Sequence, residues 1–201
     1  MGRAPLVCLA LVVGGLVVGA AFASGPIKRL TPRDEALAYR MSFHLRDMPV
    51  GWRTEKDDSS SAKCATTEPP GYVVTGKADS AFSSGDVDRA ATLAVVLRAP
   101  AGSKRVYRLL YKGLPGCLLE AMKHGGEDAS VGAMSFPRLG HQSVAWRAQA
   151  TVTRGSVSVR FYFDTEIVRK ARAVAVYLFG GLLPANTVQE IRLVRKAVAR
   201  G

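Results

Sequence analysis

A chain of 201 residues that is 48% hydrophobic and 22% charged has room for one ordinary core, which excludes a disordered tail and a string of domains. The formal net charge of +12 points toward anionic partners, yet a basic, solvated surface is the plainer reading. Arg supplies 19 of the 28 cationic residues, a skew that a GC-rich coding bias also produces.

The N-terminus reads as a targeting segment. Met1-Gly2-Arg3 gives a short positive region, Leu6 to Phe22 carries no charge, and Ala21-Phe22-Ala23 has the small-x-small pattern of a signal-peptidase site. A signal peptide over 1–23 is expected, the alternative being an uncleaved N-terminal transmembrane anchor of the same residues. Either way the remainder is expected to be extracytoplasmic, secreted or tethered, with a linker over 24–30 and a single domain over 31–201. Export leaves Cys64 and Cys117 in an oxidising compartment, where one bridge between them is the natural expectation. In the chain-entropy view such a bridge is worth about 4 kcal/mol.

Thr31-Pro32-Arg33-Asp34 opens a helix: Thr31 caps, Pro32 suits the first turn, and Asp34 complements the dipole. Ala38, Met41, Leu45 and Met48 share one face, predicting a helix that runs to the stop at Pro49. Trp52 then emerges beneath that face and reads as a core plug, with Arg53 the first residue facing out. Residues 54–71 are polar and turn-rich, a solvated loop pinned by Cys64. Tyr72 to Ala78 predicts a short edge strand, and Ala90 to Arg98 a better one. Helical segments follow over 103–112 and 115–123, broken at Gly113-Leu114-Pro115, with Cys117 near the start of the second.

The clearest local signal is a hairpin. Val144–Thr153 and Ser156–Phe163 alternate, Arg154-Gly155 separates them, and paired positions should then sum to 309. Trp146 would face Phe163, and Arg147 would face Tyr162 on the wet side. Ala173 to Phe179 is apolar on both faces, as in a strand covered from both sides. Thr187 and Glu190 form a capping-box pattern. Val188, Ile191, Val194 and Val198 stripe the last helix, whose outer side carries Arg192, Arg195, Lys196 and Arg200. The expected fold is α+β: a mainly antiparallel twisted sheet with helices packed on one face.

Catalytic chemistry finds little support in the sequence. His44, His124 and His141 are the only histidines, no G-x-S-x-G elbow is present, and phosphate loops are absent. His124-Gly-Gly-Glu127 offers two ligands, fewer than a metal site needs. No enzyme, metal or cofactor is therefore expected. Binding is easier to build: Arg147, Arg160 and Tyr162 would lie together on the open sheet face, combining cations with an aromatic plane. Arg192, Arg195, Lys196 and Arg200 are candidates for contact with anionic lipid head groups.

Several of these pieces together resemble a family of exported actinobacterial domains. It includes extracellular sensor domains of mycobacterial receptor Ser/Thr kinases and stand-alone secreted proteins. The matching residues are Asp47-Met48-Pro49-Val50-Gly51-Trp52, the Cys64 that follows, and Cys117 on a helix after the first good strand. Leu139-Gly140-His141-Gln142-Ser143-Val144-Ala145-Trp146-Arg147 is similar to the family's Leu-Gly-Asp-x-Ser-x-Ala lead-in to the hairpin. Here His141 stands where Asp is usual, and the second disulfide typical of the kinase sensors is missing. The resemblance implies a non-catalytic, sensor-like envelope domain with a groove beside the sheet, and names no ligand. The expected partner is a small amphipathic or anionic ligand, or an anionic envelope surface that holds the protein by charge. Nucleic acid is not expected, and the domain should be a monomer. A secreted hydrolase is the remaining reading and needs one of the three histidines to meet a nucleophile or a metal.

Overall fold

The computed structural model describes residues 27–55, 72–85, 87–185 and 187–201. The expected signal segment and Cys64 lie outside them.

The chain runs β1 (Ile27–Lys28), α1 (Pro32–Met41), a 3-10 turn (Leu45–Asp47), β2 (Arg53–Thr54), β3 (Val73–Ser84) and β4 (Asp88–Leu97). Then come α2 (Pro100–Gly125), β5 (Glu127–Met134), β6 (Gln142–Arg154), β7 (Val157–Lys170), β8 (Ala173–Gly181) and α3 (Thr187–Arg200). The eight strands form one sheet ordered β1-β3-β4-β8-β7-β6-β5, with β2 also pairing with β3. Only the β1–β3 pair is parallel. The fold is thus mixed α+β on a mainly antiparallel sheet.

Helices cover both faces of the sheet, not one. Val174, Val176 and Leu178 of β8 join the cluster under α2, which contributes Val106, Leu110, Leu114 and Leu118. Ala173, Ala175, Tyr177 and Phe179 alternate into a second cluster with Ala38 and Met41 of α1 and Leu193, Val194 and Ala197 of α3. Because successive side chains of a strand point to opposite faces, an unbroken apolar strand requires two covers. The β4 strand behaves the same way, with Val95 and Leu97 on one side and Ala94 and Val96 on the other.

The local signal holds at the start of α1 and fails at its end. Thr31 caps α1, accepting the Asp34 amide at 3.3 Å. The helix stops at Met41, short of Pro49, because Ser42 turns its hydroxyl back to the Ala38 carbonyl and the Phe43 amide reaches Thr92 Oγ1 on β4. Leu45 is accordingly exposed, and Phe43 takes the core position instead. The two expected central helices are one, α2, with Pro115 inside it. A proline there costs about 3 kcal/mol in isolation, but Leu110, Leu114 and Leu118 keep one apolar stripe through that point. Residues 127–134, to which the sequence pattern assigns no element, form the edge strand β5, and β3 is paired on both sides.

The hairpin register also differs. Trp146 pairs with Thr165 and Ala148 with Phe163, so paired positions sum to 311 and the two-residue turn is Gly155-Ser156. Gly155 has φ +59°, which places the glycine where the turn needs a left-handed residue. The slip is two positions, an even number, so every side chain keeps its expected face.

Candidate functional site: a cleft backed by buried carboxyls

A cleft of about 220 Å³ opens beside the second cluster. Its walls are the start of β4 (Asp88, Arg89), the end of β8 (Phe179–Gly181), the segment Leu183–Ala185, the first turns of α3 (Gln189, Glu190, Leu193) and Trp52. Trp52 is half-buried, packing on the second cluster while presenting part of its ring to the cleft. A plug at the helix exit describes only half of its position. Arg89 is held in place by Glu55 at 3.2 Å.

Behind this wall lies a group of charges that the sequence pattern conceals. Asp164 and Glu166 sit on β7, which continues beyond Phe163 to Lys170, and both are buried. The Arg147 guanidinium grips Asp164 with Nε 2.7 Å from Oδ1 and its second nitrogen on Oδ2. It also reaches the Ala185 carbonyl at 3.5 Å, tying the cleft wall to the sheet. This pair raises the Arg147 pKa above its already high ordinary value. Glu190 enters the same neighbourhood from α3. It is 2% exposed with its carboxyl against that of Asp164, and the Glu166 carboxyl oxygens find no hydrogen-bond partner among the described residues. Burial, the charge of the Asp164 carboxylate and a hydrogen bond donated to it by the protonated Glu190 push Glu190 up to about 8. Burial and the neighbouring Glu190 and Asp164 raise Glu166 well above the usual carboxylate range. Glu190 is therefore protonated at neutral pH, and its proton bonds Asp164.

Glu190 does not close a capping box, since its side chain turns inward toward Asp164. The buried stripe of α3 is Glu190, Leu193, Val194, Ala197 and Val198, rotated from the expected one, and Val188 is exposed.

The Arg147, Arg160 and Tyr162 positions share one sheet face. Arg147 is engaged by Asp164, Tyr162 is half-buried opposite Gln149, and Arg160 is exposed opposite Thr151. On α3, Lys196 and Arg200 both contact Asp47, at 2.8 and 2.7 Å, whereas Arg192 and Arg195 face solvent and make no ion pair among the described residues. His44 shares a hydrogen bond with the Tyr39 carbonyl, His124 lies in the last turn of α2, and His141 Nδ1 accepts the Ala171 amide at 3.1 Å. That is an acceptor role an Asp would also fill. Around it, Ser143 Oγ accepts the Leu139 amide and donates to the Pro137 carbonyl, so the Leu139–Trp146 motif has a structural function. No group of three or more His, Cys, Asp or Glu is arranged to hold a metal among the described residues. No helix among them is long and apolar enough to cross a membrane.

No protein-family model matches the chain, and no curated protein matches it. Among solved structures, the chain is similar to LpqN of Mycobacterium tuberculosis, described as involved in cell envelope biogenesis. Identity is 16%, coverage is 75% of each chain, and the TM-score is 0.31. A likeness of that order transfers neither ligand nor activity.

Proposed function

We propose that this chain is an exported, non-catalytic binding domain of the cell envelope, and that its ligand occupies the cleft between the β4–β8 end of the sheet and the start of α3. The observation that carries this reading is the cleft itself, whose wall offers Trp52 and Phe179 beside the buried Glu190. A concave site with apolar walls and few polar groups is what small-ligand recognition requires. Protein-observed NMR of the folded chain with a small-molecule fragment library tests the reading. Shifts clustering at Trp52, Phe179–Gly181 and Gln189–Leu193 support it. Shifts clustering instead at Arg160 and Tyr162 overturn it in favour of the open sheet face.

A second reading, retention at an anionic surface by charge, is favoured by Arg192 and Arg195. They share the outer face of α3 with Val188, which is 77% exposed. Vesicle binding that weakens steeply with salt and is lost in Arg192→Ala/Arg195→Ala supports it; salt-independent binding counts against it.

A further inference from the structure

The outer face of α2 carries a strong charge of its own, on the opposite side of the sheet from α1 and α3. Lys104, Arg105, Arg108 and Lys112 are all exposed there, and none forms an ion pair among the described residues. By helical geometry the four fall within about a third of the circumference. Lys104, Arg108 and Lys112 repeat every four residues, so the row advances about 6 Å per step along the axis.

This arrangement works against the helix itself. Like charges four residues apart repel, and acids at the same spacing would relieve them. None is present: α2 carries no acidic residue before Glu120, which pairs with Lys123. By contrast α1 opens with Asp34 and Glu35, and α3 has Glu190 in its first turn. A row of unneutralised cations is complementary to a row of anions.

Tyr111 indicates what carries those anions. It is 52% exposed at the margin of the row, and its ring is backed by Trp146 at 5.7 Å and Tyr107 at 6.5 Å. The ring is thereby held as a fixed, half-open apolar plane beside the cations. A bilayer asks for something else, because a lipid-binding helix inserts its apolar face, and Val106, Leu110, Leu114 and Leu118 of α2 are committed to the core. The face of lipid type is on α3, where exposed Val188 stands beside Arg192 and Arg195. A sugar ring can stack on the Tyr111 plane while its acidic substituents meet the cations. We propose that the outer face of α2 binds a linear anionic polysaccharide, its acidic groups met by Lys104, Arg105, Arg108 and Lys112 and one sugar ring stacked on Tyr111. This surface requires neither the cleft nor the α3 face.

Alginate, a linear polysaccharide of carboxylate-bearing sugars, tests it by calorimetry on the folded full chain at low and high salt. The comparison probes are dextran, polyglutamate, single-stranded DNA and phosphatidylglycerol vesicles. Alginate should bind saturably and lose most of its affinity at high salt, and dextran should not bind. Polyglutamate, which has the charge without the sugar, should bind several-fold more weakly than alginate. Lys104→Ala/Arg108→Ala/Lys112→Ala should lose about tenfold in alginate affinity. The same variant should melt no lower than the wild-type chain, because the repulsion along α2 is gone. Tyr111→Ala should weaken alginate several-fold and leave its salt dependence unchanged. Arg192→Ala/Arg195→Ala should bind alginate as the wild type does. Full alginate affinity in the triple variant, or no alginate binding at all, overturns the proposal. Polyglutamate, DNA or vesicles bound as tightly as alginate overturn the polysaccharide as partner. None of these results touches the cleft, which the fragment shifts judge, or retention through α3, which its own double variant judges.

Discussion

Asp47 and Arg200 stand 153 residues apart in sequence and 2.7 Å apart in the fold. Arg200 also donates to the Ser42 carbonyl at 2.7 Å and the Arg40 carbonyl at 3.0 Å, while Lys196 lies 2.8 Å from the other Asp47 oxygen. The Asp47 carboxylate, 1% exposed, thus fastens the last turns of α3 to the end of α1. Asp47→Ala strands Arg200 and should cost about 3 kcal/mol. Lys196→Ala, whose ammonium is 54% exposed, should cost less than about 1 kcal/mol. Urea unfolding separates the two; equal losses would contradict this account.

Stability should fall on both sides of mildly acidic pH. Arg172, 2.8 Å away, holds Asp34 below its ordinary value, and for Asp47 the opposing effect of burial is outweighed by Lys196 and Arg200. A lowered folded-state pKa gives stability that is present above the unfolded value near 3.8 and lost as pH falls through the folded one. Glu166 and Glu190 are raised, so their contribution is complete below about 4.5 and drains away as pH climbs, for Glu190 toward about 8. The slope is about 1.4 kcal/mol per pH unit for each carboxyl. Glu166→Gln and Glu190→Gln should each flatten that alkaline limb and raise the melting temperature at pH 7.5. An unchanged limb in both variants would refute the assignment.

Gly76 sets the distance between α1 and the sheet. A methyl group added there would run into the Asp34 and Glu35 main chain, which has no rotamer with which to move aside. Gly76→Ala should therefore cost at least about 2 kcal/mol. Gly116→Ala in α2 meets nothing within 4 Å and should stabilise by roughly 0.5–1 kcal/mol through helix propensity. Paired thermal melts check the opposite signs.

Thiol labelling tests the expected Cys64–Cys117 bridge. The folded, exported chain should label at neither cysteine until reduced, and Cys117→Ser should lose about 4 kcal/mol. Two reactive thiols in the native protein would end that expectation.

The parts of the fold legible in sequence were those governed by neighbours a few residues away. Thr31-Pro32 marks a helix start because capping is local, and the alternation of β6 and β7 assigns faces regardless of register. Gly155 decides the register, through a left-handed conformation that two adjacent candidate turn pairs could each supply. The end of α1 depends on Thr92, 49 residues away, which no local pattern contains. The site was hidden for a related reason. Glu190 at the third position after Thr187 reads as a cap, and Asp164-Thr165-Glu166 reads as the polar end of a strand. Carboxyls at such places are ordinarily solvated. The only sequence signal was β8: a strand apolar on both sides needs a helix on each, and α3 was available to bring Glu190 down onto β7.

That second cover has a consequence for biogenesis. The face of β4 and β8 formed by Ala94, Val96, Ala175, Tyr177 and Phe179 is finished before the residues of α3 that shield it have been synthesised. Until Leu193, Val194 and Ala197 arrive, the nascent chain carries a bare apolar sheet surface, the kind of surface on which partly folded chains aggregate. The closing of this face therefore waits on α3. A holdase chaperone would find its client surface here, and would lose it when Arg200 reaches Asp47.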